Sequence, residues 1–471
     1  MQTLLIILYV YFVSFLDKPE KTAPQLSPRA VEQRTKWNIP TDAMDYPVSP
    51  MYINTLTKKG VKIYHKSRWF NGVTCEMDTA TAAEVAKMSF VTGVEMTRDN
   101  SAPIYGAPKR KNRISAVSLQ TTDNDYTDAQ LALYNLPPLH QAGYKGQGIL
   151  MTVCDGGFYN ADKMTCFRQK LHLGSFDFTD DTDDFYGSSG THGTYCLSAI
   201  SGIAEHYQGA ATEAQYYLMR SEESENDRES PKEMDNLVAA LEKADSLGVN
   251  VFSVSLGYAM FDNSAWTLDK VSDLDGRTTR VSRAATIAAR KGMLVCVAAG
   301  NEGFSDWKTI SAPADADSIL TVGAVDKDSV IGGFSSYGPS SDGRVKPEVC
   351  AVGVKSTLIS PNGTIVQSNG TSFATPLLAG FAASLWSALP DENAMQIRER
   401  ILRSANRYDN PDQQRYGYGI PDAWKAYTLK LPTGVESVLP SEVSTQKILR
   451  DGQILIIRNG QTYTLSGLKV E

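Results

Sequence analysis

Short apolar runs separated by longer helical patterns fill the middle of this chain, and they constrain the fold more than any other feature. Between residues 128 and 428 the runs lie at 149–153, 216–219, 251–254, 293–298 and 319–325, with helical patterns at 234–247, 280–291 and 372–389. Strands with few polar positions are buried on both faces, which indicates a parallel sheet covered by helices on each side. We therefore predict an α/β fold of three layers with a mostly parallel central sheet over residues 128–430.

Two shorter regions flank this block. Residues 17–105 combine helical and strand-like patterns typical of a small α/β unit, whereas residues 106–127 lose all periodicity and are predicted to be an exposed linker. Near the end of the chain, Asn459-Gly460 separates two strand-like runs, 453–458 and 462–465. Because Asn-Gly readily takes the positive dihedral angles of a tight hairpin turn, residues 434–471 are predicted to form a short β unit.

The first sixteen residues allow two interpretations. The apolar run 4–16 is shorter than the roughly 20 residues that span a bilayer, and its length suits the core of an export signal. No Lys or Arg precedes this run, and residues 11–17 fit the first strand of a folded domain equally well. We expect residues 1–16 to be an export signal merged with, or truncated against, such a strand.

Composition excludes several classes of function. A net charge of −7 provides no general attraction to nucleic acids or anionic membranes, so we predict no nucleic-acid partner. The one basic run, residues 109–113, lies in the predicted linker and is interpreted as a solvated segment.

Metal chemistry is likewise not predicted. The six cysteines are scattered, without zinc-ligand spacing, and those in apolar runs are interpreted as packing residues. The acidic stretch 177–184 offers the oxygen ligands that calcium prefers, but it lacks an EF-hand pattern and is interpreted as a solvated loop. We therefore expect no cofactor and no metal in the chemistry, and structural calcium is unsupported.

Asp155 and His192 are the first candidates for chemistry. Asp155 ends a buried run and is followed by two glycines, so its carboxylate could accept an imidazole N–H and fix the tautomer of a histidine. His192 begins a helical pattern after a glycine-rich bend. Each residue alone also has an ordinary interpretation, as a turn aspartate and as a structural histidine.

Ser372 and Asn301 complete the set. Ser372 introduces the long apolar helical pattern 372–389, which places its hydroxyl and backbone N–H at a positive helix end, although a helix N-cap serine would look the same. We interpret Pro376 as lying in the first turn, where it costs no backbone hydrogen bond. Asn301 follows the apolar run 293–298 and could donate to a developing oxyanion or simply form a turn.

The order of the histidines removes two rival classes of serine hydrolase. The histidines lie at 65, 140, 172, 192 and 206, so none follows Ser372, whereas an α/β-hydrolase needs its histidine after its serine. A chymotrypsin-like order would require an all-β double barrel, which the alternation of strands and helices opposes. The remaining order is Asp, His and Ser on a parallel sheet.

Four segments of the sequence resemble the signature blocks of the subtilase family of serine peptidases. They are 153–157 (VCDGG), 191–194 (THGT), 298–301 (AAGN) and 370–376 (GTSFATP). The resemblance covers roughly residues 128–428 and implies a subtilisin-like fold. It further implies an Asp155, His192 and Ser372 triad, with an oxyanion site at Asn301 and the Ser372 N–H. Gly156 departs from the family, which usually has Ser or Thr after the aspartate.

The same resemblance implies a substrate groove. Ser255, Leu256 and Gly257 are similar to the strand that pairs with the substrate backbone, and Ala298, Ala299 and Gly300 are similar to the opposite wall of the S1 pocket. Polypeptides are the implied substrates.

The flanking regions fit the same family. Residues 17–105 are placed like a subtilase propeptide, which would act as an intramolecular inhibitor, and the tail 446–471 resembles the sorting domains of type IX secretion in Bacteroidetes. Together these features predict a secreted serine endopeptidase made as a zymogen, exported or displayed at the cell surface. The alternative is a catalytically inactive protein of the same fold that binds peptides or acts as an adhesin.

Overall fold

The computed structural model describes residues 7–20, 22–100, 117–118, 127–179, 185–187, 190–223, 229–431, 445–450, 453–458, 461–464 and 469–470. Several sequence predictions therefore lie outside the described residues. These are the linker apart from residues 117–118 and 127, the basic run 109–113, residues 180–184 of the acidic stretch, residues 1–6, and the turn residues Asn459 and Gly460.

A small antiparallel sheet with helices forms the first unit. Its elements are β1 (Tyr9–Phe15), α1 (Pro28–Lys36), α2 (Pro50–Lys58), β2 (Lys62–Ser67), β3 (Gly72–Met77), α3 (Thr79–Val85) and β4 (Val91–Arg98). The strand order is β2-β3-β1-β4, and the paired strands run antiparallel. Ser27 and Ser49 cap α1 and α2, each followed by proline at the first helical position, where no backbone hydrogen bond is lost.

The start of this unit corrects the boundary predicted at residue 17. Strand β1 lies between β3 and β4, and Val10, Phe12 and Val13 are buried. An inner strand supplies hydrogen bonds to both neighbours, so residues 9–15 are an integral part of the folded unit. The second interpretation of the N-terminal apolar run, as a first strand, is the one that the structure shows.

The large central unit contains both strands and helices. Its strands are β5 (Val117–Ser118), β6 (Leu150–Asp155), β7 (His172–Asp177), β8 (Ile203–Ala204), β9 (Tyr207–Gln208), β10 (Gln215–Arg220), β11 (Val251–Val254), β12 (Leu294–Ala298), β13 (Leu320–Val325), β14 (Val349–Val352), β15 (Ser356–Ile359) and β16 (Ile365–Ser368). Its helices are α4 (Asp128–Ala132), α5 (Pro137–Gln141), α6 (His192–Ser201), α7 (Pro231–Leu247), α8 (Arg280–Arg290), α9 (Thr371–Ala388), α10 (Ala394–Ser404) and α11 (Ala423–Thr428).

Seven of these strands form the predicted parallel sheet, in the order β14-β13-β12-β11-β6-β10-β7. Alternate residues of β6 belong to different cores. Met151 and Val153 pack in the core that contains α6 and α9, whereas Leu150 and Cys154 pack in the core that contains α7 and α8. This arrangement confirms the three-layer α/β prediction.

The first unit contacts α7 through buried ion pairs. Asp245 on α7 accepts from Arg34 at 2.8 Å and from Arg68 at 2.6 Å, and Arg34 also pairs with Asp45 at 2.7 Å. Glu242 accepts from the Ser67 hydroxyl at 2.6 Å. Because ionised groups removed from water need compensating charges and hydrogen bonds, this network fixes the orientation of the small sheet on the helix.

The C-terminal residues form a separate compact unit, which begins at Leu431. Its strands are β17 (Thr445–Arg450), β18 (Gln453–Arg458), β19 (Gln461–Thr464) and β20 (Lys469–Val470), and consecutive strands pair antiparallel. Elsewhere, a search of the described helices finds none with both the length and the apolarity needed to cross a bilayer.

We predict that Asp245→Ala lowers the free energy of unfolding by about 3 kcal/mol, because the change removes a carboxylate shared by two buried guanidinium groups. The measurement is urea unfolding of the full-length chain carrying Ser372→Ala, which prevents any self-cleavage. The matched control is Asp328→Ala, since Asp328 is 68% exposed and pairs with Lys327 at the surface. A loss for Asp245→Ala no larger than that of the control would contradict the role of the network.

Candidate active site

The site begins at the carboxyl end of β6, the position in the sheet where the chain changes direction. After β6 the chain builds β7 and β10 on one side and later builds β11 to β14 on the other. Such a switch point leaves a crevice at the strand ends, where open α/β sheets bind their ligands. Asp155 is the last residue of β6 and is 1% exposed.

Asp155 and His192 are in direct contact. Nδ1 of His192 lies 2.8 Å from Oδ1 and 3.0 Å from Oδ2 of Asp155, and Oδ1 also accepts the Gly156 N–H at 2.8 Å. A close approach of α6 to β6 makes this possible, since a Cβ on Gly193 would lie 2.5 Å from the Gly157 carbonyl oxygen. The Asp155 contact orients Nε2 of His192 away from the carboxylate, as a general base requires.

Ser372 lies in the first turn of α9, and Pro376 shapes this turn. The helix begins at Thr371, so Pro376 lies past the first turn, which corrects the sequence interpretation. Proline has no N–H for the carbonyl four residues earlier, which is that of Ser372. The Ser372 carbonyl instead accepts from the Ser255 hydroxyl at 2.7 Å and from the Cys196 thiol at 3.3 Å. Strand β11 and helix α6 thereby hold the turn in place.

The Ser372 hydroxyl donates to the Ser255 carbonyl oxygen at 3.5 Å, and the structure shows no hydrogen bond between it and His192. The two residues are nevertheless neighbours, because the rings of His192 and Phe373 lie 5.5 Å apart between centroids. Catalytic hydrogen bonds often tighten only when substrate binds. The structure therefore places the predicted nucleophile and base on adjoining helices, while the hydrogen bond between the Ser372 hydroxyl and His192 is not formed.

Asn301 contacts the start of α9. Its Oδ1 accepts from the Thr371 N–H at 2.9 Å and from the Thr371 hydroxyl at 3.0 Å. Because both partners are donors, the oxygen is assigned to this side and the NH₂ group lies on the other branch of the amide. Asn301 is exposed, and the N–H of Ser372, the residue after Thr371, is one of the first-turn donors that no helical carbonyl accepts.

The predicted substrate-binding residues leave the sheet side by side. Ser255, Leu256 and Gly257 follow β11, while Ala298, Ala299 and Gly300 end and follow β12, and these strands are paired through Val254 and Val297. Gly300 has φ +105°, and a Cβ there would lie 2.8 Å from Ser336 Oγ. Glycine is therefore required at this wall of the crevice by both conformation and space.

Cys196 is a site residue that sequence reasoning missed, although its position one turn after His192 could have signalled it. Its Sγ lies 3.8 Å from His192 Nδ1. Ligand atoms of Asp155, His192 and Cys196 lie within 4.8 Å of one another, a spacing that a metal ion could bridge. However, burial raises the pKa of the Cys196 thiol, and a protonated thiol that donates to the Ser372 carbonyl is a poor metal ligand.

The neighbours of His192 shift its pKa. Burial has the largest single effect and would lower the pKa of His192, but the charge and hydrogen bond of Asp155, together with Cys196, outweigh burial and raise this pKa well above its ordinary value. The cationic imidazole that a proton transfer creates is thus stabilised by this carboxylate.

We predict that Asp155→Asn lowers the pKa of His192, because the change removes the charge that favours imidazolium. The measurement is an NMR pH titration of the ring protons in the Ser372→Ala chain, with His192→Ala used to assign the signal. His140 is an internal control, since burial lowers its pKa to about 4 and Asp155 is not among its neighbours. An unchanged His192 titration in Asp155→Asn would contradict the ion pair.

Comparisons with known proteins agree on one family. The profile of the Subtilase family matches residues 146–419, and that of the peptidase S8 propeptide domain of Bacteroidota matches residues 10–115. The serine protease AprX of Bacillus subtilis (strain 168) is 28% identical over 306 residues, which are 59% of this chain and 66% of AprX. Subtilisin NAT of Bacillus subtilis subsp. natto is 26% identical over 373 residues, covering 78% of this chain and 83% of that protein.

Solved structures add the fold. The crystal structure of MycP1 from the ESX-1 type VII secretion system aligns with a TM-score of 0.53 and 21% identity, covering 68% of this chain and 91% of MycP1.

The propeptide match begins at Val10, in agreement with β1 as a strand of that domain. On these grounds the chain belongs to the subtilase family of serine peptidases and carries an N-terminal propeptide domain.

Proposed function

We propose that this chain is an exported serine endopeptidase, made as a zymogen, in which Asp155, His192 and Ser372 form the catalytic triad. The observation that carries this proposal is the 2.8 Å contact between Asp155 and Nδ1 of His192, next to the helix start that bears Ser372. The contact fixes the tautomer with Nε2 unprotonated, so the ring can take a proton from a hydroxyl.

The proposed reaction proceeds through an acyl-enzyme. Ser372 Oγ bonds to the peptide carbonyl carbon as His192 Nε2 takes the hydroxyl proton, and the carbonyl π electrons move to oxygen. Asn301 and the Ser372 N–H donate to this oxyanion. When the electrons return, the C–N bond breaks and His192 protonates the leaving amine. Water then repeats the sequence, which frees the carboxylic acid and regenerates Ser372.

Extended polypeptides are the proposed substrates. The segment Ser255, Leu256 and Gly257 continues from β11 beyond its last paired residue, Val254, and could donate and accept backbone hydrogen bonds with an added strand. Ala298, Ala299 and Gly300 would form the opposite wall of the pocket for a P1 side chain, where Gly300 adds no side chain of its own.

The N-terminal domain is proposed to inhibit the enzyme before maturation. Strand β4 ends at Arg98, which pairs with Glu223 at 2.6 Å. Glu223 lies three residues after Arg220, and Arg220 is the register partner of Asp155. The chain that follows β4 therefore starts at the same edge of the sheet as the triad, within reach of the crevice.

Export is proposed from the tail of the chain. The tail forms an antiparallel β unit of its own, which is compatible with the sorting domain of type IX secretion that its sequence resembles. N-terminal sequencing of protein recovered from the medium or cell surface is the direct test of both export and maturation.

We predict that a fluorophosphonate labels Ser372 in the matured protein and that Ser372→Ala abolishes both labelling and casein degradation. The nucleophile carries the whole first step, so the expected loss is at least about 10⁴-fold. Ser360→Ala is the matched control, since Ser360 lies in a turn after β15 and should retain full activity. Peptide binding by the wild type without turnover would instead favour the inactive, peptide-binding alternative.

We predict that Asn301→Leu lowers kcat by about 10²–10³-fold with little change in KM, the effect of removing one such donor in a subtilisin. Leucine keeps the approximate volume but donates no hydrogen bond to the oxyanion. Because Asn301 also accepts from Thr371, Asn301→Asp is the informative partner variant: it keeps the acceptor and loses the donor. Full activity in both variants would contradict an oxyanion role.

A further inference from the structure

Three glutamates converge beside the catalytic aspartate, outside the machinery described so far. One carboxylate oxygen from each of Glu222, Glu229 and Glu233 lies within 4.8 Å of the others. Glu222 follows the end of β10, and the N–H of Ser221 before it donates to the Asp155 carbonyl at 3.2 Å. Glu233 lies in the first turn of α7. The cluster thus joins the end of a central strand to the start of a helix.

Glu233 has a buried oxygen with no donor. The residue is 3% exposed, its Oε1 accepts the Glu223 N–H at 3.2 Å, and its Oε2 is fully covered without a hydrogen-bond partner. A buried carboxylate oxygen without a donor costs free energy that a protein normally avoids. This orphaned oxygen is the sign that a ligand is needed.

The ion pairs around the cluster that the described residues form go to the neighbouring Glu223. Lys232 and Arg98 both bind the neighbouring Glu223, at 2.6 Å each. Within the described part of the chain, no ion pair involves Glu222 or Glu233, and the hydroxyl of Tyr258 donates to Glu222 Oε1 at 2.5 Å. Burial and mutual repulsion raise the pKa of Glu222 to about 8 and raise that of Glu233 well above its ordinary value. Among the residues that the structure describes, Glu222 and Glu233 therefore lack a counter-ion.

We propose that Glu222, Glu229 and Glu233 form a binding site for a divalent, oxygen-preferring cation, with calcium as the expected occupant. Calcium takes carboxylate oxygens at about 2.3–2.6 Å, so two oxygens on one ion lie within about 5 Å of each other, as these do. It also tolerates irregular geometry and completes its shell with water, which can enter because Glu222 and Glu229 are partly exposed.

A bound ion would affect the crevice by fixing the position of the chain segments that carry its ligands. Ligands from both ends of the segment between β10 and α7 would be tied to one centre, next to the backbone of Asp155. The ion would also neutralise Glu222, whose carboxylate interacts with the charge of Asp155. These effects do not depend on peptide hydrolysis, so the site can be tested in a chain that lacks the nucleophile.

The test uses calorimetric titration of calcium into the chelator-treated, full-length Ser372→Ala chain, alone and with Glu233→Gln. We expect Glu233→Gln to bind one ion fewer per chain, at a site with a Kd of about 10⁻⁴–10⁻³ M. In thermal unfolding, saturating calcium should raise Tm by about 3 °C less in Glu233→Gln than in its parent. Asp328→Asn, which removes the same charge from an exposed side chain, should leave both quantities unchanged.

Glutamine has the shape of a protonated glutamate, so Glu233→Gln should keep the calcium-free Tm of its parent. Glu222→Gln, at a partly exposed position, must show the same loss of one ion.

Terbium provides an independent readout, because Tyr258 would sensitise its emission and Tyr258→Phe would remove that signal without removing a carboxylate. No saturable binding by the parent up to about 10 mM calcium, or equal stoichiometry in parent and Glu233→Gln, would overturn the site.

Discussion

The burial of a single carboxylate dictates the arrangement of the groups around it. Asp155 is 1% exposed at the end of β6, and a charge in that position must be met by donors. The Gly156 N–H and the imidazole of His192 provide them. To bring the imidazole close enough, α6 must approach β6, which Gly193 allows because it has no side chain. The orientation of the histidine is therefore a consequence of satisfying the aspartate.

The serine turn is held by a complementary device. Pro376 removes the helical donor for the Ser372 carbonyl, and Ser255 and Cys196 replace it from a strand and from another helix. One missing backbone hydrogen bond thus becomes two contacts that link α9 to β11 and α6. Such cross-links keep the start of a helix in register with the sheet, where an ordinary helix end would fray.

Sequence reasoning was most successful where burial acts on both faces of an element. Strand β11 has the bounds that the apolar run predicted, 251–254, because all four of its residues are buried, the polar Ser253 included. Edge strand β7 (His172–Asp177) was missed, since its residues are mostly partly exposed and form no apolar run. The positions of Asp155 and Ser372 followed from motifs, while their roles stay predictions. The orphaned oxygen of Glu233 depends on tertiary contacts that no local pattern records.

The ion pairs beneath the small N-terminal sheet behave differently when one partner is deleted and when the two surfaces part. Deleting Asp245 strands two guanidinium groups in place, whereas separation hydrates Arg34 and Arg68 together with Asp245. Water then solvates the separated charged groups, and this hydration offsets much of the Coulomb energy that is lost. An interface built this way requires accurate geometry, yet the free energy needed to separate its two surfaces is modest.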